Sequence, residues 1–150
     1  MSKGKRNERR AAELYEQAGF RTFRPQESKF GETDMFGLFD IMAIPPANSH
    51  CPVHLIQVKT NRASGIESWL EDADPFHCIG TTQPVFLVAY DGQGGHNPIP
   101  QRWRLIRHGV SDAGPKEEWV DERDEDVRGD GEGVVRYLQR LLGDVEAIEA

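Results

Sequence analysis

Residues 34–59 read DMFGLFDIMAIPPANSHCPVHLIQVK, and the fold turns on this stretch. Leu38 to Ile44 is an apolar run with one acid, Asp40, near its start. Pro45 to Pro52 is rich in Pro, Asn and Ser and reads as a loop. Val53 to Lys59 is a second run, ending Gln57-Val58-Lys59. Side chains alternate across a strand, so Gln57 and Lys59 share one face and Val58 takes the other. If the two runs pair as a hairpin, Asp40 stands beside that face. A carboxylate, an amide carbonyl and an ammonium then converge on one point.

Upstream, Lys5 to Ala18 predicts a helix. Ala11, Leu14, Tyr15 and Ala18 recur at three- and four-residue spacing, and Gly19 is a natural stop. Arg6, Arg9 and Arg10 cluster near its start, where positive charge opposes the helix dipole. Local stability does not explain them; an external anion does. Phe20 to Arg24 is a short strand, and Pro25 to Thr33 a polar loop. Downstream, Ile66, Trp69, Leu70 and Ala73 share a helical face over residues 66–78, with Pro75 expected to break or kink the helix. Pro84 to Tyr90 is almost wholly apolar and reads as a buried central strand. Gln101 to His108 alternates, with Trp103 and Leu105 on one side and a wetter face of Arg102, Arg104 and Ile106 on the other. Glu118 to Val120 suggests a short edge strand. Val134, Val135, Leu138, Leu141 and Leu142 predict a last amphipathic helix over residues 131–143. The expected architecture is α/β, a mixed central β-sheet flanked by helices. It forms a single domain over residues 1–143, with a short, frayed acidic tail at 144–150.

The chain has 150 residues, 37% hydrophobic and 29% charged, which suits one globular domain with a substantial core. No apolar run approaches the roughly 20 residues of a membrane span, and the basic N-terminal segment lacks an apolar signal core. The expectation is a cytoplasmic protein with no membrane partner. Two cysteines, Cys51 and Cys78, are too few for a disulfide scaffold. The net charge of -7 is unevenly spread: residues 1–29 hold eight Lys/Arg against four Glu, while acid accumulates over 110–150. A basic end on an acidic body still builds one positive face suited to nucleic acid. The acidic excess is also what a high-salt cytoplasm selects.

Phosphodiester hydrolysis uses a hard divalent cation, and Mg²⁺ (or Mn²⁺) takes oxygen ligands while keeping several waters. Asp40 and the Gln57 carbonyl supply oxygens, and Lys59 sits where it neutralises developing charge or orients the attacking water. Gln57 carries no charge, so such a site binds metal more weakly than one with Glu.

These features resemble the PD-(D/E)xK nuclease superfamily, and within it the archaeal Holliday-junction resolvases. Asp40 before Ile41-Met42-Ala43 matches the superfamily acid, and Gln57-Val58-Lys59 takes the (D/E)xK position with Gln in place of the acid. Phe39 stands where the motif name has Pro. Lys3-Gly4 with Arg6, Glu8 and Arg9 resembles the resolvases' opening helix, and Gly19-Phe20 with Arg24 and Ser28 resembles the run into their active-site loop. The resemblance implies a restriction-endonuclease-like core, Mg²⁺-dependent endodeoxyribonuclease activity on branched DNA in recombination or repair, and a homodimer. It implies metal ligands Asp40, Gln57 and Glu8, catalysis by these with Lys59, and DNA contacts from Lys3, Lys5, Arg6, Arg9, Arg10, Arg24, Ser28 and Lys29. Asp34 is a candidate supporting residue or helper ligand.

Plainer readings stand beside these. Asp40 also suits a strand-end turn, Gln57 and Lys59 a solvated strand end, and Glu8 a surface ion pair with its arginines. A nuclease fold that binds nucleic acid without cutting is the alternative function. His50, Cys51, His54, His77 and Cys78 are zinc-ligand types, but no paired C-x-x-C is present, so isolated residues are the better reading. Gly92 to Gly95 lacks the Lys-Ser/Thr of a phosphate loop. Trp103 reads as core rather than a base-stacking platform.

Overall fold

The computed structural model describes residues 3–25, 35–62, 64–90, 102–108, 116–120 and 132–149. A six-stranded sheet runs in the order β1 (Arg21–Phe23), β2 (Ile41–Ile44), β3 (Val53–Thr60), β4 (Thr82–Tyr90), β5 (Arg102–Arg107), β6 (Lys116–Val120). Spatial order therefore follows chain order. Neighbours are antiparallel except β3 and β4, which are parallel because helix α2 (Ile66–Ala73) carries the chain back between them. Helices α1 (Lys3–Ala18) and α3 (Glu132–Glu149) complete the described elements. The α/β architecture and mixed sheet agree with the sequence reading.

The sheet separates two apolar layers. On one face, Ala11, Leu14, Tyr15 and Ala18 of α1 and Val134, Tyr137 and Leu138 of α3 close over Ile41, Ile56, Val85, Leu87, Trp103 and Leu105. On the other, Trp69 and Ala73 of α2 close over Leu55, Phe86, Val88 and Ile106. Each such large side chain taken from water contributes about 1.5–3 kcal/mol before entropy is counted. Both faces of β4 are covered, which explains its nearly continuous apolar run.

Boundaries follow local chemistry. At the end of α1, Gly19 takes φ 115°, and the N–H groups of Gly19 and Phe20 donate to the carbonyls of Glu16 and Tyr15 at 3.0 Å each. This left-handed close satisfies carbonyls the helix leaves open, at a φ that a Cβ disfavours. Pro75 stops α2: a 3-10 turn, Asp74–Phe76, replaces the rest of the helix expected to residue 78.

Three further expectations need correction. The run Leu38 to Ile44 forms a strand only from Ile41, with a turn ahead of Asp40. The strand with one wet face is more enclosed than its alternation suggested, because Ile106 is buried beneath α2 and Arg104 is half-buried. The segment expected to fray after Gly143 instead keeps helical backbone to Glu149. Trp103 is fully buried, as expected of a core residue.

Candidate functional site

β2 and β3 pair antiparallel, with Ile41 opposite Ile56 and Met42 opposite Leu55. One step back along the chain, the Asp40 N–H donates to the Ile56 carbonyl at 2.6 Å, which brings Asp40 beside Gln57. Asp40 Oδ2 accepts two hydrogen bonds at 2.9 Å, from Gln57 Nε2 and from the Val58 backbone N–H. The acid and the amide therefore meet, but not through the carbonyl contact expected. The polarity of the contact matters: a carboxylate oxygen only accepts, so the amide turns its nitrogen to Asp40 and its carbonyl away. Lys59 lies two residues on along the same face and is exposed. That face is the α2 side, since Leu55 on it belongs to the apolar cluster that contains Trp69, and Val53 packs against that cluster.

The segment entering Asp40 is pinned. Trp69 Nε1 donates to the Leu38 carbonyl at 2.9 Å, and Phe39 is fully buried edge-on against the Trp69 ring. A buried neighbour on each side thus fixes the backbone from which the half-buried Asp40 projects.

α1 lies across the opposite face. Its link to the end of β3 comes from Asn7, not Glu8: Asn7 is fully buried and its Nδ2 donates to Thr60 Oγ1 at 2.8 Å. The sequence contained the signal, because Asn7 is one helical turn before Ala11 and continues the buried stripe with a polar residue. Glu8 is half-buried beside it. Among the described residues, no group of three His, Cys, Asp or Glu is arranged to hold a metal ion, so Glu8 and Asp40 do not form an acidic cluster with a third such residue.

Arg6 and Arg9 are exposed, and Lys5 and Arg10 are half-buried. No acid occupies the first turn of α1. Arg9 pairs with Glu13 at 3.4 Å on the open surface, a contact worth little. Arg24 is half-buried just beyond β1. Ser28, Lys29 and Asp34 lie outside the described residues, as does the side chain of Lys3.

Among the described residues, His54 with Cys51 and His77 with His108 lie in two unrelated places. His54 is fully buried under α1, on the face of β3 opposite Gln57. Tyr15 Oη lies 2.7 Å from its Nδ1 and Cys51 Sγ 3.9 Å from its Nε2. Burial holds His54 neutral, its pKa lowered to about 3, with Arg107 adding to the effect. The same burial pushes the Cys51 thiol up to about 11 and Tyr15 well above the usual phenol range. Tyr15 O–H donating to Nδ1 and Nε2–H pointing at sulfur satisfy a neutral ring. This is core polarity rather than a metal centre. Elsewhere, His77 Nδ1 meets His108 Nδ1 at 2.8 Å and His108 Nε2 meets Asp74 Oδ1 at 3.0 Å, tying the 3-10 turn to the end of β5.

Asp40 and Gln57 fit a hard cation only after a change. Rotation of the terminal amide, a soft torsion, turns the Gln57 carbonyl towards the carboxylate and offers two oxygens to an ion that keeps most of its waters. No protein-family model and no curated protein matches this chain.

Proposed function

We propose that this chain is a metal-dependent DNA endonuclease with a restriction-endonuclease-like core, hydrolysing phosphodiesters in branched DNA such as Holliday junctions. The observation that supports it is the 2.9 Å cross-strand contact of Asp40 with Gln57, with Lys59 exposed on the same face. At this strand end a half-buried acid and amide lie beside an exposed lysine. That arrangement suits an anionic substrate approached by a cation.

In this reading Asp40 and, after rotation of its amide, the Gln57 carbonyl would hold Mg²⁺ or Mn²⁺; Glu8, half-buried on α1, is the third ligand that the family resemblance implies. The cation, when bound, supplies positive charge at the phosphate and acidity to a water. Lys59 neutralises charge that builds on the phosphate oxygens. The Val58 N–H and Trp69 hold Asp40 in place. Lys5, Arg6, Arg9 and Arg10 on α1, with Lys3 and Arg24, bind the DNA backbone, joined by Ser28 and Lys29. Two copies forming a homodimer place two such sites on opposed strands of a junction.

The test is nicking of four-way junction, flap, single-stranded and linear duplex DNA with Mg²⁺ or Mn²⁺, with solution mass measured in parallel. Asp40→Ala and Lys59→Ala abolish cleavage while leaving DNA binding. Unchanged cleavage in Asp40→Ala overturns the proposal.

A second reading has its own observation. The Gln57 amide nitrogen faces Asp40, and no acidic triad stands there among the described residues, which suits a module that binds DNA without cutting it. Gln57→Glu separates the two: a gain in metal affinity and nicking marks a working site, and no cleavage in either form marks a binding module.

A further inference from the structure

An aromatic ladder climbs the α2 face from the core to the surface. Phe86, the β4 residue paired with Gln57, meets Trp69 with ring centroids 5.2 Å apart. Trp69 meets Phe39 at 5.9 Å, Phe39 meets Phe76 at 5.4 Å, and Phe76 meets Phe36 at 4.8 Å. Phe86, Trp69 and Phe39 are buried, whereas Phe36 is 74% exposed. The hydrophobic effect accounts for the buried rungs and not for the last one.

The backbone beneath Phe36 is also unusual. Met35 N–H donates to the Phe39 carbonyl at 2.8 Å and Phe39 N–H to the Met35 carbonyl at 3.1 Å, closing a tight turn. Phe36 sits in it at φ 59°, a left-handed conformation that a bulky side chain rarely adopts. Such strain persists only where the surroundings over-determine it, and here the bridge, the Trp69–Leu38 hydrogen bond and the Phe76 ring do so. The turn leads directly into Asp40. The exposed ring therefore stands on the face that carries Asp40, Gln57 and Lys59, held by a stack rooted in the core.

We infer that Phe36 is a stacking platform for an unpaired base next to the scissile phosphate, and that it directs the site to DNA whose bases are already unstacked. The inference rests on the nuclease reading and names its substrate class. Every base has a π-face, so stacking on a ring is sequence-tolerant. In intact duplex that face is covered by neighbouring base pairs, and exposing it costs energy that a single-stranded flap has already spent. A pre-positioned aromatic loses little freedom on binding.

The experiment uses the full chain in EDTA, so that binding is read without cleavage. Anisotropy compares a flap with the linear duplex of the same sequence, and 2-aminopurine at the first unpaired position reports stacking. Wild type prefers the flap by about tenfold, the factor one stacked base supplies, and quenches the probe. Phe36→Ala loses the preference and the quenching but keeps duplex affinity, whereas Phe36→Trp retains both. If Phe36→Ala still discriminates and quenches like wild type, the inference falls and the nuclease reading stands. If Phe36→Ala alters solution mass with flap preference intact, the ring is a protein contact and the inference falls as well. Failure of wild type to bind any DNA overturns both.

Discussion

Acid lability should trace to His54. In the folded chain its pKa is lowered to about 3 by burial, while in the unfolded chain it lies near the usual value of about 6.5. The unfolded state therefore takes up the proton first, and stability falls as pH drops below about 6.5. Above that value the contribution is intact. At pH 5 the loss is about 2 kcal/mol, at about 1.4 kcal/mol per pH unit below the unfolded pKa. That figure holds for any folded pKa well below 5. Down to pH 3 the loss grows to about 4 kcal/mol, approaching the whole stability of many domains. The perturbation is His54→Gln, which keeps an acceptor for Tyr15 and cannot titrate. Urea unfolding of both proteins at pH 7.5 and pH 5.0 measures it, with other titrating groups common to the two chains cancelling in the comparison. Wild type should lose about 2 kcal/mol more than the variant over that interval. Equal losses, or a His54 ring signal titrating near 6.5 in the folded protein, refute the reasoning.

Asn7→Ala removes a buried donor to Thr60 and should lower stability by about 1–2 kcal/mol by urea midpoint, with nicking falling further than stability explains if Asn7 positions the end of β3. Trp69→Phe keeps the ring packing but leaves the Leu38 carbonyl without its donor; a loss of about 1–3 kcal/mol is expected in thermal or urea melts, with a normal fold by circular dichroism. If the exposed arginines of α1 contact phosphates, Arg6→Ala should lower the slope of log affinity against log salt by about 0.9 on duplex DNA without altering discrimination between structures.

The order of elements was legible because its signals are local. The stripe of Ala11, Leu14, Tyr15 and Ala18 marked α1, Gly19 its end, and the unbroken run up to Tyr90 a strand covered on both faces. Ile106 misled because one apolar residue between arginines reads as a wet face until α2 is placed above it. Gly143 misled because a glycine stops a helix only when the chain must turn, and here the backbone continues.

For the candidate site, the two-residue period of a strand was enough to put Gln57 and Lys59 on one face and to offer Asp40 as their neighbour. Pairing register is a property of two strands, so only the fold decided that Asp40 and Gln57 touch, that the amide presents nitrogen rather than oxygen, and that the Val58 N–H shares the same carboxylate oxygen. The roles of Asn7 and Phe36 likewise needed the third dimension: one is a polar residue in a buried stripe, the other an apolar residue left outside. Sequence by itself determined which side chains are available to the site and in what alternation. Tertiary structure decided which of them meet, because hydrogen bonds and ring contacts depend on distances between segments far apart in the chain.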